Sequence, residues 1–62
     1  MFKFKPGDIV KTMSSDDPWI GIILKIDKEN NMYLTHWIKN NEAFKSFLYE
    51  EKRFLEKFYE KI

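Results

Sequence analysis

Apolar and polar positions alternate along three stretches of the chain, and turn residues separate them. Pro6-Gly7-Asp8 opens the first: proline presets its own φ and glycine reaches positive φ without steric cost, so a turn is predicted with a strand behind it. Ile9 to Met13 reads as that strand, short and β-branched, and the polar cluster Ser14-Ser15-Asp16-Asp17-Pro18 bounds it as an acidic loop. Ile20, Ile22, Leu24 and Ile26 then alternate with Gly21, Ile23, Lys25 and Asp27, a period-2 pattern in which Ile23 makes the second face apolar as well. Lys28-Glu29-Asn30-Asn31 supplies a polar hairpin connection, asparagine being suited to the left-handed region. Met32 to Ile38 answers as the antiparallel partner, with faces Met32/Leu34/His36/Ile38 and Tyr33/Thr35/Trp37; its period does not say which face points inward.

Beyond the polar connection Lys39-Asn40-Asn41-Glu42, two readings compete. Phe44, Phe47, Leu48, Phe54, Leu55, Phe58 and Ile62 fall close to a helical stripe, and Asn41 suits the cap of a helix running from Glu42 to the end. The other reading makes Phe44 to Tyr49 a fourth strand, Glu50 to Phe54 one helical turn and Leu55 to Lys61 a closing strand. Glu50, Glu51, Glu56 and Glu60 interleaved with Lys52, Lys57 and Lys61 favour the helix on propensity. Against it, three strands leave two edges that further strands would close. A long helix would leave part of its apolar stripe to a partner or a second copy. In either case Phe47, Phe54 and Phe58 are expected in the core.

Composition narrows the class of protein. Sixty-two residues, 44% hydrophobic and with no cysteine, predict one small soluble domain over residues 1–62, too short for a deep substrate cavity and without disulfide staples. The aromatic share, 18%, is the unusual figure and supplies much apolar surface to so short a chain. Eleven basic against ten acidic residues give +1, with no basic arm or acidic tail, so phosphate neutralisation has no evident local cluster to use. The longest apolar run, Trp19 to Leu24, is far short of a membrane span, and the start carries no hydrophobic stretch of signal-peptide type. A cytoplasmic location is expected.

Gly7-Asp8-Ile9-Val10, Gly21-Ile22-Ile23-Leu24-Lys25-Ile26-Asp27, Met32-Tyr33-Leu34-Thr35-His36-Trp37 and the segment Tyr49 to Leu55 together resemble small SH3-like β-barrels of the KOW and Tudor kind. The resemblance implies a mainly β fold: a five-stranded, half-open SH3-like barrel with one short helical turn near Glu50–Phe54. A three-stranded meander with a C-terminal helix is the alternative. In size and pattern the chain is similar to small proteins encoded by tailed bacteriophages, which would put it in the cytoplasm of the host cell. Barrels of this kind bind through their loops, and the fold does not say what is bound. The first loop of nucleic-acid-binding KOW members is basic, whereas Asp16 and Asp17 stand here and would repel phosphate.

Catalytic chemistry finds little to build on. One histidine, His36, has no nucleophile or orienting carboxylate at a recognisable spacing, and no catalytic residue, cofactor or metal ligand is assigned. Asp16-Asp17 alone cannot supply the six or more oxygens a cation cage needs, so they read as a solvated loop. Trp19, after Asp17-Pro18 at a loop-to-strand junction, is either an interface anchor or a plug at one barrel end. Trp37 fits the core or its rim, and Tyr33 and Trp37 with Trp19 or Phe44 could form a cage for a cationic side chain. The expected function is a non-enzymatic module that binds a protein partner through Asp16, Asp17, Trp19, Tyr33 and Trp37, as a monomer or small homo-oligomer. The competing expectations are a nucleic-acid-binding module gathering Lys3, Lys5, Lys25, Lys39 and Lys45 on one face, and a structural or assembly component of a phage.

Overall fold

The computed structural model describes residues 1–13, 16–39 (Lys39 by its backbone alone) and 47–62. Five antiparallel strands form one open sheet: β1 (Ile9–Thr12), β2 (Ile20–Asp27), β3 (Met32–Lys39), β4 (Phe47–Glu51) and β5 (Tyr59–Lys61), in the order β4-β3-β2-β1-β5. One short helix, α1 (Lys52–Phe58), joins β4 to β5. The first three strands lie where the alternation predicts them. The expected left-handed asparagine closes the β2–β3 hairpin, with Asn31 at φ 55°. Gly7 sits at φ 97°, where a side chain would be strained, and its N–H reaches the Ile23 carbonyl at 2.7 Å to seat the first turn on β2.

The inward face of β3 is Tyr33/Thr35/Trp37, all buried. Gly21, paired with Trp37, shows why glycine stands second in β2: a Cβ there would meet Thr35 Cγ2 and Trp37 Cε3, each at 2.8 Å. The alternating set Ile20/Ile22/Leu24/Ile26 does not form one face. The register shifts between Ile23 and Lys25, leaving Leu24 as the extra residue of a bulge, so Ile22 faces out while Ile23 and Ile26 both pack inward. The core is Phe4, Val10, Ile23, Tyr33, Trp37, Leu55 and Tyr59, with Phe2, Trp19, Ile26 and Leu48 against it.

The C-terminal third departs from both predicted readings. Residues 47–51 are strand, so a continuous helix from Glu42 to the end does not form. The helical turn expected at Glu50–Phe54 starts at Lys52 and runs to Phe58, and the closing strand expected from Leu55 shrinks to Tyr59–Lys61. Of the expected fourth strand, residues 44–46 lie outside the described residues. The shift has a tertiary cause. Glu51 stays extended and has no side-chain cap bond; the Lys52 N–H instead finds the Asn31 carbonyl at 2.9 Å, so the hairpin sets the helix start. Leu55 is the one fully buried helix residue, and the helix exists to deliver it to the core. Phe47, Phe54 and Phe58, expected in the core, are instead 45–56% exposed. Among the described residues of the apolar stripe only Leu55 is fully buried, and the core takes Tyr59, which the stripe does not include.

The N-terminal segment is clamped over Tyr33. Phe2 packs edge-on against its ring at 5.2 Å, the Phe4 N–H donates to Tyr33 Oη at 3.1 Å, and Tyr33 donates in turn to Glu56 Oε2 at 2.5 Å. The same carboxylate accepts from the Lys3 N–H at 2.8 Å and from Lys52 Nζ at 3.2 Å. Burial, and then the bond to Glu56, push the Tyr33 hydroxyl up to about 12.

Candidate functional site

Trp19 follows Pro18 directly before β2, and its backbone N–H and carbonyl are both hydrogen-bonded to Thr12 of β1. Its N–H donates to Thr12 Oγ1 at 3.0 Å, and its carbonyl accepts from the Thr12 N–H at 3.1 Å. This stem holds the indole, half-buried, edge-on to Trp37 at 6.1 Å. Trp37 meets Tyr59 at 5.3 Å, Tyr59 meets Phe54 at 6.1 Å, and Phe54 meets Phe58 at 5.3 Å. The result is an unbroken run of rings from the first loop to the helix. Trp37 and Tyr59 are its buried members; Phe54 and Phe58 are open to solvent.

Glu50 places a carboxylate in this run. On β4 it faces inward opposite Tyr33, and its Oε2 accepts the Trp37 indole N–H at 3.1 Å. Burial raises its carboxyl above the usual value, and the indole bond offsets only part of that rise. The Tyr59 hydroxyl is raised as well, by burial first, against a hydrogen bond with Thr12. Glu50, Glu51 and Phe54 line a shallow depression of about 310 Å³. Asp16 and Asp17 are exposed and precede Trp19 by three and two positions.

The predicted site residues therefore separate. Trp19 and Trp37 are in contact, and Asp16 and Asp17 stand beside Trp19 in the chain. Tyr33 does not join them: it has no accessible surface, lies between Phe2 and Phe4, and belongs to the core, because its hydroxyl is spent on Glu56 and Phe4. A cage using Tyr33 is thereby corrected, and Phe44 lies outside the described residues. Trp37, 5% exposed, offers little more than its indole rim. Sequence reasoning missed Glu50, Phe54, Phe58 and Tyr59, which join Trp19 through Trp37. The signal available was the i, i+4 spacing of Phe54 and Phe58, read as core.

Elsewhere, a larger hollow of about 460 Å³ lies among Met1, Asn31, Glu51, Lys52 and Arg53. It holds no aromatic ring, and its Lys52 is already paired with Glu56 at 3.2 Å. Among the described residues no three His, Cys, Asp or Glu side chains converge as metal ligands, and no helix is long and apolar enough to cross a membrane. His36 lies on the opposite side of the sheet with its ring against Phe47 at 4.6 Å. Of the five lysines weighed for nucleic acid, Lys45 and the Lys39 side chain lie outside what is described.

Comparison with protein-family models, with curated proteins and with solved structures finds no match for this chain.

Proposed function

We propose that the chain is a non-enzymatic protein-binding module with an SH3-like barrel fold, docking a basic, partly apolar segment of a protein partner along the ring run from Trp19 to Phe58. The strand order, with β1 between β2 and β5 and a helical turn leading into β5, supports the barrel reading. The observation that carries the function is the pairing of exposed rings, Phe54 and Phe58, with a half-buried carboxylate, Glu50, that already binds the Trp37 indole. Rings supply contact area at low entropic cost and attract cations over their faces. Glu50, with Asp16 and Asp17 beside Trp19, selects positive charge and disfavours acidic segments.

The two tryptophans are both in the run, so their emission reports occupancy directly. Titration with a short Arg- and Leu-containing peptide should change the emission saturably, and a Glu-containing peptide of equal length should not. Phe54→Ala, at an exposed position, should weaken the basic peptide about tenfold, or ~1.4 kcal/mol, while leaving the melting temperature unchanged. Equal response to both peptides, or an unaltered affinity in Phe54→Ala, would sink the reading.

A further inference from the structure

The reverse side of the sheet is apolar across four strands. Ile9 pairs with Ile22, Ile22 with His36 and His36 with Phe47, one cross-strand row; Leu34 and Tyr49 pair in the next row on the same face. Ile9, Leu24, Phe47 and Tyr49 are 39–56% exposed. A half-exposed aromatic presents about 100 Å², given the 150–250 Å² such side chains bury when fully covered. The face then amounts to roughly 400–500 Å², in the upper part of what a monomer leaves uncovered. A standard interface takes about 800 Å² from each partner, so this apolar face would make up roughly half of one, with the polar border as the rest of the contact.

That border carries both signs. Lys25 stands opposite Leu34 and Glu51 opposite Met32 at one end, while Lys11 and Glu60 approach to 3.8 Å at the other. A two-fold interface needs a patch complementary to itself. An aliphatic and aromatic centre with a mixed-charge rim meets that need, whereas a face of one sign would repel its copy. The fold also has reason to cover this surface: among the described residues seven hydrophobic side chains are buried, the chain has no cysteine, and small scaffolds lacking such staples turn to oligomerisation.

We infer that the outer face of β1–β4, centred on Ile22, His36 and Phe47, is the contact surface of a homodimer. It lies on the side of the sheet opposite Trp37 and Glu50, so dimerisation leaves the peptide-docking run open and does not depend on it. Sedimentation equilibrium of the full chain from about 10 μM to about 1 mM should show the mass rising from one chain towards two. Phe47→Lys and Tyr49→Lys, both at exposed positions, should each raise the dissociation constant about tenfold or more with an unchanged circular-dichroism spectrum. Ile9→Glu, on a different strand, serves if either β4 variant fails to fold. Phe54→Lys, on the other side, should dimerise as the unaltered chain does. A single-chain mass at every concentration overturns the inference, as does association that these outer-face substitutions leave untouched. Growth beyond two chains overturns it too, since it would point to pairing along the β4 edge.

Discussion

Thr35 is the sharpest residue-level oddity in the core. It is fully buried, and its hydroxyl has no hydrogen-bond partner among the described residues. Burying an unpaired hydroxyl costs on the order of 1–3 kcal/mol, and β-branched valine has nearly the same shape. Thr35→Val should therefore stabilise the fold by about 1 kcal/mol, read as a higher urea midpoint at constant slope. Gly21 makes the opposite case. Its missing Cβ is occupied at 2.8 Å by Thr35 Cγ2 and the Trp37 ring, and both are themselves buried, so neither can move aside. Gly21→Ala should cost about 1–3 kcal/mol, the usual cost of overpacking, and should perturb the tryptophan emission because Trp37 must shift. A silent Gly21→Ala would mean that the β2–β3 contact is looser than these distances imply.

At the scale of elements, what the sequence made legible was local and what it hid was tertiary. Pro6-Gly7, the Asn30-Asn31 hairpin and the β-branched run of β2 each carry their own signal, and the structure follows them. The bulge at Leu24 carries none: all of Ile20, Ile22, Ile23, Leu24 and Ile26 are apolar, so period alone cannot show that the inward phase slips by one residue. The start of α1 was hidden for the same reason, because its partner is the Asn31 carbonyl, twenty-one positions away, rather than a capping side chain. The candidate site was half legible. Trp19 stood out by its loop position, but Glu50 looked like one more solvated glutamate, and only the fold turns it towards Trp37. Helix α1 depends on a single anchor, Leu55, which supplies its only buried side chain. Seven residues are too few for a helix to hold by propensity. Leu55→Ala should cost about 2–5 kcal/mol, a large part of what such a small core supplies, and should melt α1 and β5 together. Amide exchange that accelerates in Lys52–Lys61 before β2 and β3 would show this; uniform acceleration would contradict it.

For the molecule as a whole, Glu50 and Glu56 pull the pH dependence of stability in opposite directions. Glu56 is lowered: burial alone would raise it, but bonds from the Lys3 N–H, Tyr33 Oη and Lys52 outweigh that. A lowered carboxyl stabilises the fold above its unfolded value, and the contribution is lost as pH falls through the folded value. Asp27 behaves alike, held down by Asn30 through its side chain and then its backbone. Glu50 is raised from 4.5, so its contribution is present below that value and is lost as pH rises through the folded one; at neutral pH its charge is a liability. Acidification from about pH 7 should first raise the melting temperature as Glu50 takes a proton, then lower it as Glu56, below 4.5, and Asp27, below 3.8, take theirs. Glu50→Gln keeps an oxygen for the Trp37 indole and removes the charge, so it should melt higher at neutral pH and lose the initial rise. Glu56→Gln should melt lower at neutral pH and show a shallower fall in acid. If Glu50 is retained for binding and at some expense of stability, the stabilised Glu50→Gln protein should also bind the basic peptide more weakly. A variant more stable and equally good at binding would assign the carboxylate to neither role.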